Sequence, residues 1–408
     1  MAGSARNRLF WGTGVLGALC LAGSGISSRL LAQYATSDYV SQTRFWPTQT
    51  KYVREEFAGT EACASCHLAM VREQRQTSMA RTAMRAGDAD ILKGNPLLSF
   101  THGSYQYEIL TSGDESVYSV SDGRHTQSAP LAWAFGTNRV AQSYLFKKKD
   151  GEFHEARVTY FLSLSALDFT PGRALDSPED VDDAMDREVS RAEVSRCFSC
   201  HTTASGSGAS FDEAKPMPGI GCEACHGPGM GHIDEVEGVP VESSAVVLHE
   251  QNTPWKIFNP KTLTPEESVD FCGSCHGSYW DVNLSGSSGV GNARFQPYRL
   301  EQSKCWNQED ARLTCVACHD PHQEVDTKDS DYDHVCLSCH ALKTAKLKPA
   351  ALEGDPAAQA ETHPGPACPV ARENCTSCHM PRVYVPAMHS SFPDHRIRIV
   401  RDGEGFPD

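Results

Sequence analysis

The sequence predicts a mostly α and irregular fold, wrapped around an array of bound prosthetic groups and carrying one β-rich insertion. Three observations predict it. The pattern Cys-x-x-Cys-His occurs seven times, at 63–67, 197–201, 222–226, 272–276, 315–319, 336–340 and 375–379. The hydrophobic fraction is 39%, modest for 408 residues, so an aliphatic core alone is a poor account of how the chain packs. The stretch 99–172 lacks the pattern and alternates apolar with polar residues, the period of a half-buried strand.

The repeated pattern is that of c-type haem attachment, in which two thiols add to the vinyl groups and the adjoining His ligates iron. The thioether residues are then Cys63, Cys66, Cys197, Cys200, Cys222, Cys225, Cys272, Cys275, Cys315, Cys318, Cys336, Cys339, Cys375 and Cys378. The proximal iron ligands are His67, His201, His226, His276, His319, His340 and His379. Zinc would pair each Cys-x-x-Cys with spaced His residues or a second Cys pair, and does not require a His directly after every one. The cofactor expected is therefore seven covalently attached haem c, whose apolar macrocycles would form much of the core. These motifs take fourteen of the seventeen cysteines, which argues against a disulfide scaffold.

The formal net charge is −15, and haem propionates would add to it. That excludes a nucleic-acid surface and suits redox partner proteins with a basic docking face. Arg6 and Arg8 precede an apolar run from Leu9 to about Gly23, the pattern of an export signal, and haem is attached to such motifs outside the cytoplasmic membrane. Two forms stay open: a signal cut near Ala32, or an uncleaved anchor over 9–28 between Arg8 and Arg29 that would give membrane association. Cys20 follows Leu19 and so fits a lipoprotein cut poorly. The expected location is the bacterial periplasm, anchored or free, or the cell exterior.

In chain order, 1–32 is the signal or anchor, 33–98 carries the first haem site, 99–172 is the β-rich insert, and 173–408 is a six-haem domain. A helix is expected from Glu61 to Arg85, rich in good helix formers. Met79 lies twelve residues past His67, where it serves either as a distal iron ligand that raises the potential or, with Met70 and Met84, as core filling. In the insert, Tyr105, Tyr107 and Ile109 alternate with polar residues, as do Tyr118 and Val120, and Asp122-Gly123 and Asp150-Gly151 are hairpin turns. His102, His125 and His154 within it read as ordinary strand or surface residues.

Ser177-Pro178-Glu179-Asp180 reads as a helix start, with the helix running to Arg196 and the second haem site. Loops are expected at 203–210 and 285–292, rich in Gly and Ser. Several motifs have a His nearby: His232, His322, His363, His389 and His395. Ten His residues stand outside the motifs and at most seven are needed as sixth ligands, so spacing leaves each either a ligand or a bystander. Cys305 and Cys368 also stand outside, either bridged to each other or as thiols.

The combination of Thr77-Ser78-Met79-Ala80-Arg81, Phe135-Gly136, Thr170-Pro171-Gly172, Ile220-Gly221-Cys222-Glu223-Ala224-Cys225-His226-Gly227-Pro228-Gly229, Asn259-Pro260-Lys261, Cys318-His319-Asp320-Pro321-His322, Cys378-His379-Met380-Pro381 and Asp394-His395-Arg396-Ile397 resembles a family of exported multihaem cytochromes c. The resemblance runs from residue 61 to the C-terminus. The family is related in haem packing to the tetrahaem cytochrome of ammonia oxidisers, and more distantly to pentahaem nitrite reductase and octahaem hydroxylamine oxidoreductase.

The resemblance implies an elongated array of closely stacked haems, mostly with two axial ligands from the protein. It points to His232, His322, His363, His389 and His395 as distal ligands and strengthens Met79, whose position other members fill with His. Seven sites strung through one chain suit electron transfer along six-coordinate haems, with no catalytic residue, since a catalyst needs only one reactive iron. One alternative is an oxidoreductase with one open haem acting on a small nitrogen, sulfur or oxygen species. Another is a haem subunit of a filament or membrane respiratory complex. Nitrite reductases mark the catalytic haem with Lys in place of the motif His, whereas all seven motifs here end in His.

Overall fold

A computed structural model describes residues 54–407, apart from 138, 173–177, 205–212, 214–215, 239–256, 308–309, 311, 341–366 and 402. The signal or anchor segment and His363 lie outside the described residues. No helix among the described residues is long and apolar enough to cross a membrane.

The helix expected over 61–85 spans Thr60–Gln74 and then stops. Thr77 Oγ1 turns back onto the Gln74 carbonyl at 2.7 Å, and the chain passes through turns into a strand instead of continuing the helix. That strand, β1 (Ala83–Arg85), is the first of a ten-stranded antiparallel sheet. The others are β2 (Leu97–His102), β3 (Tyr105–Ser112), β4 (Glu115–Ser121), β5 (Thr126–Phe135), β6 (Ala141–Lys147), β7 (Phe153–Ala156), β8 (Val158–Phe161), β9 (Ala166–Phe169) and β10 (Asp186–Glu188). Strands thus lie on both sides of 99–172.

The sheet curls because its long strands change partners along their length. The first half of β5 pairs with β4 (Val117↔Pro130), and its second half pairs with β6 and β1 (Phe135↔Ser143, Phe135↔Ala83). Likewise β6 leaves β8 for β7 part-way along. The curl brings β2 back against β9, where Phe100 meets Phe169 edge-on at 5.2 Å. Inside lie Tyr107, Ile109, Tyr118, Val120, Tyr144 and Phe146, the alternate residues of three strands, as the period-2 pattern requires.

This corrects the expectation of a mostly α and irregular fold: a large curled antiparallel half-barrel sheet frames the molecule alongside the helices. The reason lies in where apolar side chains go. The largest buried hydrophobic cluster belongs to the sheet, whereas the haem motifs ride on short helices such as Cys222–His226 and Cys375–His379. A sequence dominated by haem motifs hides an ordinary aromatic and aliphatic core.

The single helix expected from 177 to Arg196 is two, Val181–Met185 and Arg191–His201, separated by β10. Pairing of β10 with β7 (Arg187↔Glu155) overrides helix propensity there. Ser190 then restarts the helix through a capping box with Glu193. Thr264 and Glu267 do the same for Pro265–His276. In both helices the haem motif occupies the last turns, so the cap fixes where its His emerges.

Candidate haem-binding sites

The sheet meets the haem motifs at the second one. Phe198, 1% exposed within Cys197–His201, packs edge-on against Trp133 of β5 at 4.9 Å, and Phe135 packs on the His201 ring at 5.4 Å. Burying Phe198 contributes roughly 1.5–3 kcal/mol. Thr82, just before β1, holds His201 Nδ1 through its hydroxyl at 2.7 Å. The same turn carries Met79, whose carbonyl accepts the Ile220 N–H at 2.9 Å. Met79 is thereby placed between the second and third motifs, its side chain half-buried.

A metal-ligating His usually has one ring nitrogen held by a backbone carbonyl or carboxylate, leaving the other for the metal. His226 Nδ1 lies 3.0 Å from the Phe258 carbonyl, His379 Nδ1 2.8 Å from that of Arg398, and His395 Nδ1 3.0 Å from that of Pro393. His322 Nδ1 lies 3.1 Å from Asp320 Oδ1. Burial pushes the imidazole pKa of His201, His226 and His319 down, and that of His395 to about 4, which keeps these rings in the neutral, ligating form.

Two imidazoles ligating one metal from opposite sides, at about 2 Å per nitrogen, have ring centres about 6 Å apart. His226 and His322 stand 6.1 Å apart with planes 7° from parallel, and His319 and His395 stand 6.3 Å apart. The residues present therefore fit iron held between each pair. His389 instead faces the sheet, with Nε2 2.9 Å from the Asp168 carboxylate and its ring 4.7 Å from Phe161. His232 lies half-buried on the helix Met230–Glu237. His67 lies exposed at a kink within Thr60–Gln74, His340 ends its helix exposed, and His276 ends Pro265–His276. His334 has the same held arrangement, Nδ1 2.9 Å from the Asp331 carbonyl, and the sequence reading passed it over. Its signal would have been its place two residues before Cys336.

The cysteines bring the motifs together. Cys63 and Cys222, Cys200 and Cys275, Cys272 and Cys315, and Cys336 and Cys375 lie close enough for their side chains to interact. Cys225 lies close enough to Cys275, and Cys318 to Cys336, for their charges to interact. The described cysteines are all free, Cys305 and Cys368 included. All seven motifs thus belong to one connected set, in the order first, third, fourth, fifth, sixth, seventh, with the second joined at the fourth.

Residues 173–227 match the family described as cytochrome c554 and c-prime. Over 221 residues the chain is 24% identical to multiheme cytochrome MtrA of Shewanella baltica (strain OS185), which covers 50% of this chain and 52% of that protein. The chain spans about half the length of that curated relative. The crystal structure of outer cell wall cytochrome OcwA matches 45% of this chain and 34% of its own, at 17% identity and a TM-score of 0.27. The sequence matches support a multihaem c-type cytochrome family for this chain, with covalently bound haem c as its cofactor.

Proposed function

We propose that the chain is an exported heptahaem c-type cytochrome that passes electrons through its haem array between redox partner proteins of the cell envelope. The observation that carries this reading is the connected set of motifs, because cysteines that lie close together across motifs would bring the groups they attach close together. Each bound haem supplies a one-electron iron couple. The chain's own residues hold the thioether positions, ligate through the seven proximal His residues, and close the sixth positions with side chains such as His322 and His395.

The array would run from the first motif to the seventh, with the second as a branch below the sheet. Cys66 and Cys378 are exposed at its ends, where donor and acceptor would dock. Met79 and His232 remain proposed sixth ligands. Export accords with the N-terminal pattern. Intact-protein mass and the pyridine haemochrome spectrum test the reading. Seven haems per chain are expected, with one lost when Cys375 and Cys378 are replaced by Ser; a wild-type chain carrying none would overturn it.

A further inference from the structure

Two of the touching motif pairs share a device that no iron ligand or thioether explains. Glu223 is the second residue of the third motif and only 2% exposed. Its Oε1 accepts the N–H groups of Ala58 and Gly229, both at 2.7 Å, and its Oε2 accepts that of Gly59 at 2.8 Å. Ala58 and Gly59 are the last residues before the helix Thr60–Gln74, which carries the first motif. A carboxylate inside one motif therefore grips the backbone that leads into another, across about 165 residues of sequence.

Asp333 repeats the arrangement in the sixth and seventh motifs. It opens the helix Asp333–His340, is 8% exposed, and accepts the N–H of Asn374 on Oδ2 at 2.7 Å and that of Cys375 on Oδ1 at 2.8 Å. Thr376 adds a bond to Asp329 at 2.7 Å. In both places the gripped backbone lies within five residues of a cysteine that lies beside the partner motif, Cys63 by Cys222 and Cys375 by Cys336. The Glu223 carboxylate is held by main-chain donors, and Asp333 also meets the Cys375 side chain besides the two main-chain donors.

We propose that Glu223 and Asp333 are positioning residues, each buckling two haem motifs at fixed separation and placing a negative charge where those motifs meet. This rests on the haem-binding reading above. Two consequences are separable. The grip sets electronic contact between the paired groups, and the charge favours the oxidised iron of both.

Replacing Glu223 by Gln turns one accepting oxygen into an amide that faces donors, so the grip loosens while the size is kept. Glu223→Asp keeps the charge and shortens the reach. The test uses holoprotein with the haem count measured first, then Soret circular dichroism, which reads haem–haem coupling, and a potentiometric titration. Expected for Glu223→Gln is seven haems, at least a twofold change in the Soret couplet, and two potentials moved upward. Glu223→Asp should change the couplet and leave the potentials in place. Asp333→Asn should do to a different pair what Glu223→Gln does to the first, and the two sets of shifts should add. Variants with seven haems whose couplet and potentials match the wild type overturn the positioning role alone. If Glu223→Gln does not accumulate, Glu223→Asp and Asp333→Asn decide the matter by the same readings. A wild type without covalent haem contradicts the haem reading itself.

Discussion

His226 and His322, 96 positions apart in sequence, face each other with ring centres 6.1 Å apart and planes 7° from parallel. One ends a haem motif, and the other sits on the loop after the fifth, so the chain closes one site with a residue delivered by another. Replacing His322 by Ala should leave that iron without its sixth ligand. One high-spin haem should appear in the paramagnetic resonance spectrum and one potential should rise, the other six changing little. A spectrum that stays wholly low-spin removes His322 from the ligand set.

Arg299 and Asp394 form a pair with both side chains 0% exposed, Nε to Oδ1 at 2.8 Å and Nη2 to Oδ2 at 3.0 Å. Burial alone would raise the Asp394 pKa, but Arg299 and the Arg396 N–H hold it below the usual carboxylate range. Because its folded pKa is depressed, the stability it contributes is present above its unfolded pKa and lost as pH falls through the folded one. Asp394→Asn leaves Arg299 buried without a counterion and should cost about 3–5 kcal/mol. Thermal unfolding followed at pH 7 checks this. The neighbouring His395 should lose its hold on the fifth haem in the same variant.

Asp270 and Glu301 titrate in the opposite sense. Burial, with Glu266 and Glu267 beside it, pushes Asp270 up to about 7, and burial with Asp270 nearby pushes Glu301 up to about 8. Groups with a raised carboxyl pKa bind more protons folded than unfolded, so stability should fall as pH rises from about 4 to about 8. Glu301→Gln should flatten that decline, as measured by denaturant midpoints across the range.

Gly219 sits at φ 74°, and a Cβ there would lie 1.9 Å from the Ala80 carbonyl oxygen. Gly219→Ala should therefore force the Met79 turn away from the third motif and cost more than about 2 kcal/mol, combining an unfavourable φ with a backbone clash. Gly221 and Thr60 are packed almost as closely, so the damage should extend to the Cys63–Cys222 contact. Chemical denaturation compared with wild type reads the loss.

What was legible in the sequence was whatever is local. Cys-x-x-Cys-His is complete within five residues, and the period-2 run at Tyr105–Ile109 is seen as strand β3. The helix over 177–196 was misread because pairing of Arg187 with Glu155 is not a property of either neighbourhood. The extent of the sheet was underestimated for the same reason, since β1 and β10 are short strands recruited by pairing alone. Distal ligands were the hardest. Spacing treated His322 and His389 alike, yet the fold sets one against His226 and the other on Asp168. The capping boxes at Ser190 and Thr264 were readable, each with Glu three residues on.

The central claim is a conduit of haems that are all six-coordinate, and paramagnetic resonance with electronic absorption of the oxidised holoprotein tests it most directly, with and without nitrite, hydroxylamine and carbon monoxide. The account predicts seven low-spin haems that none of these ligands perturbs. A high-spin haem that shifts on ligand addition would contradict it, and would mark one iron as open to a small substrate.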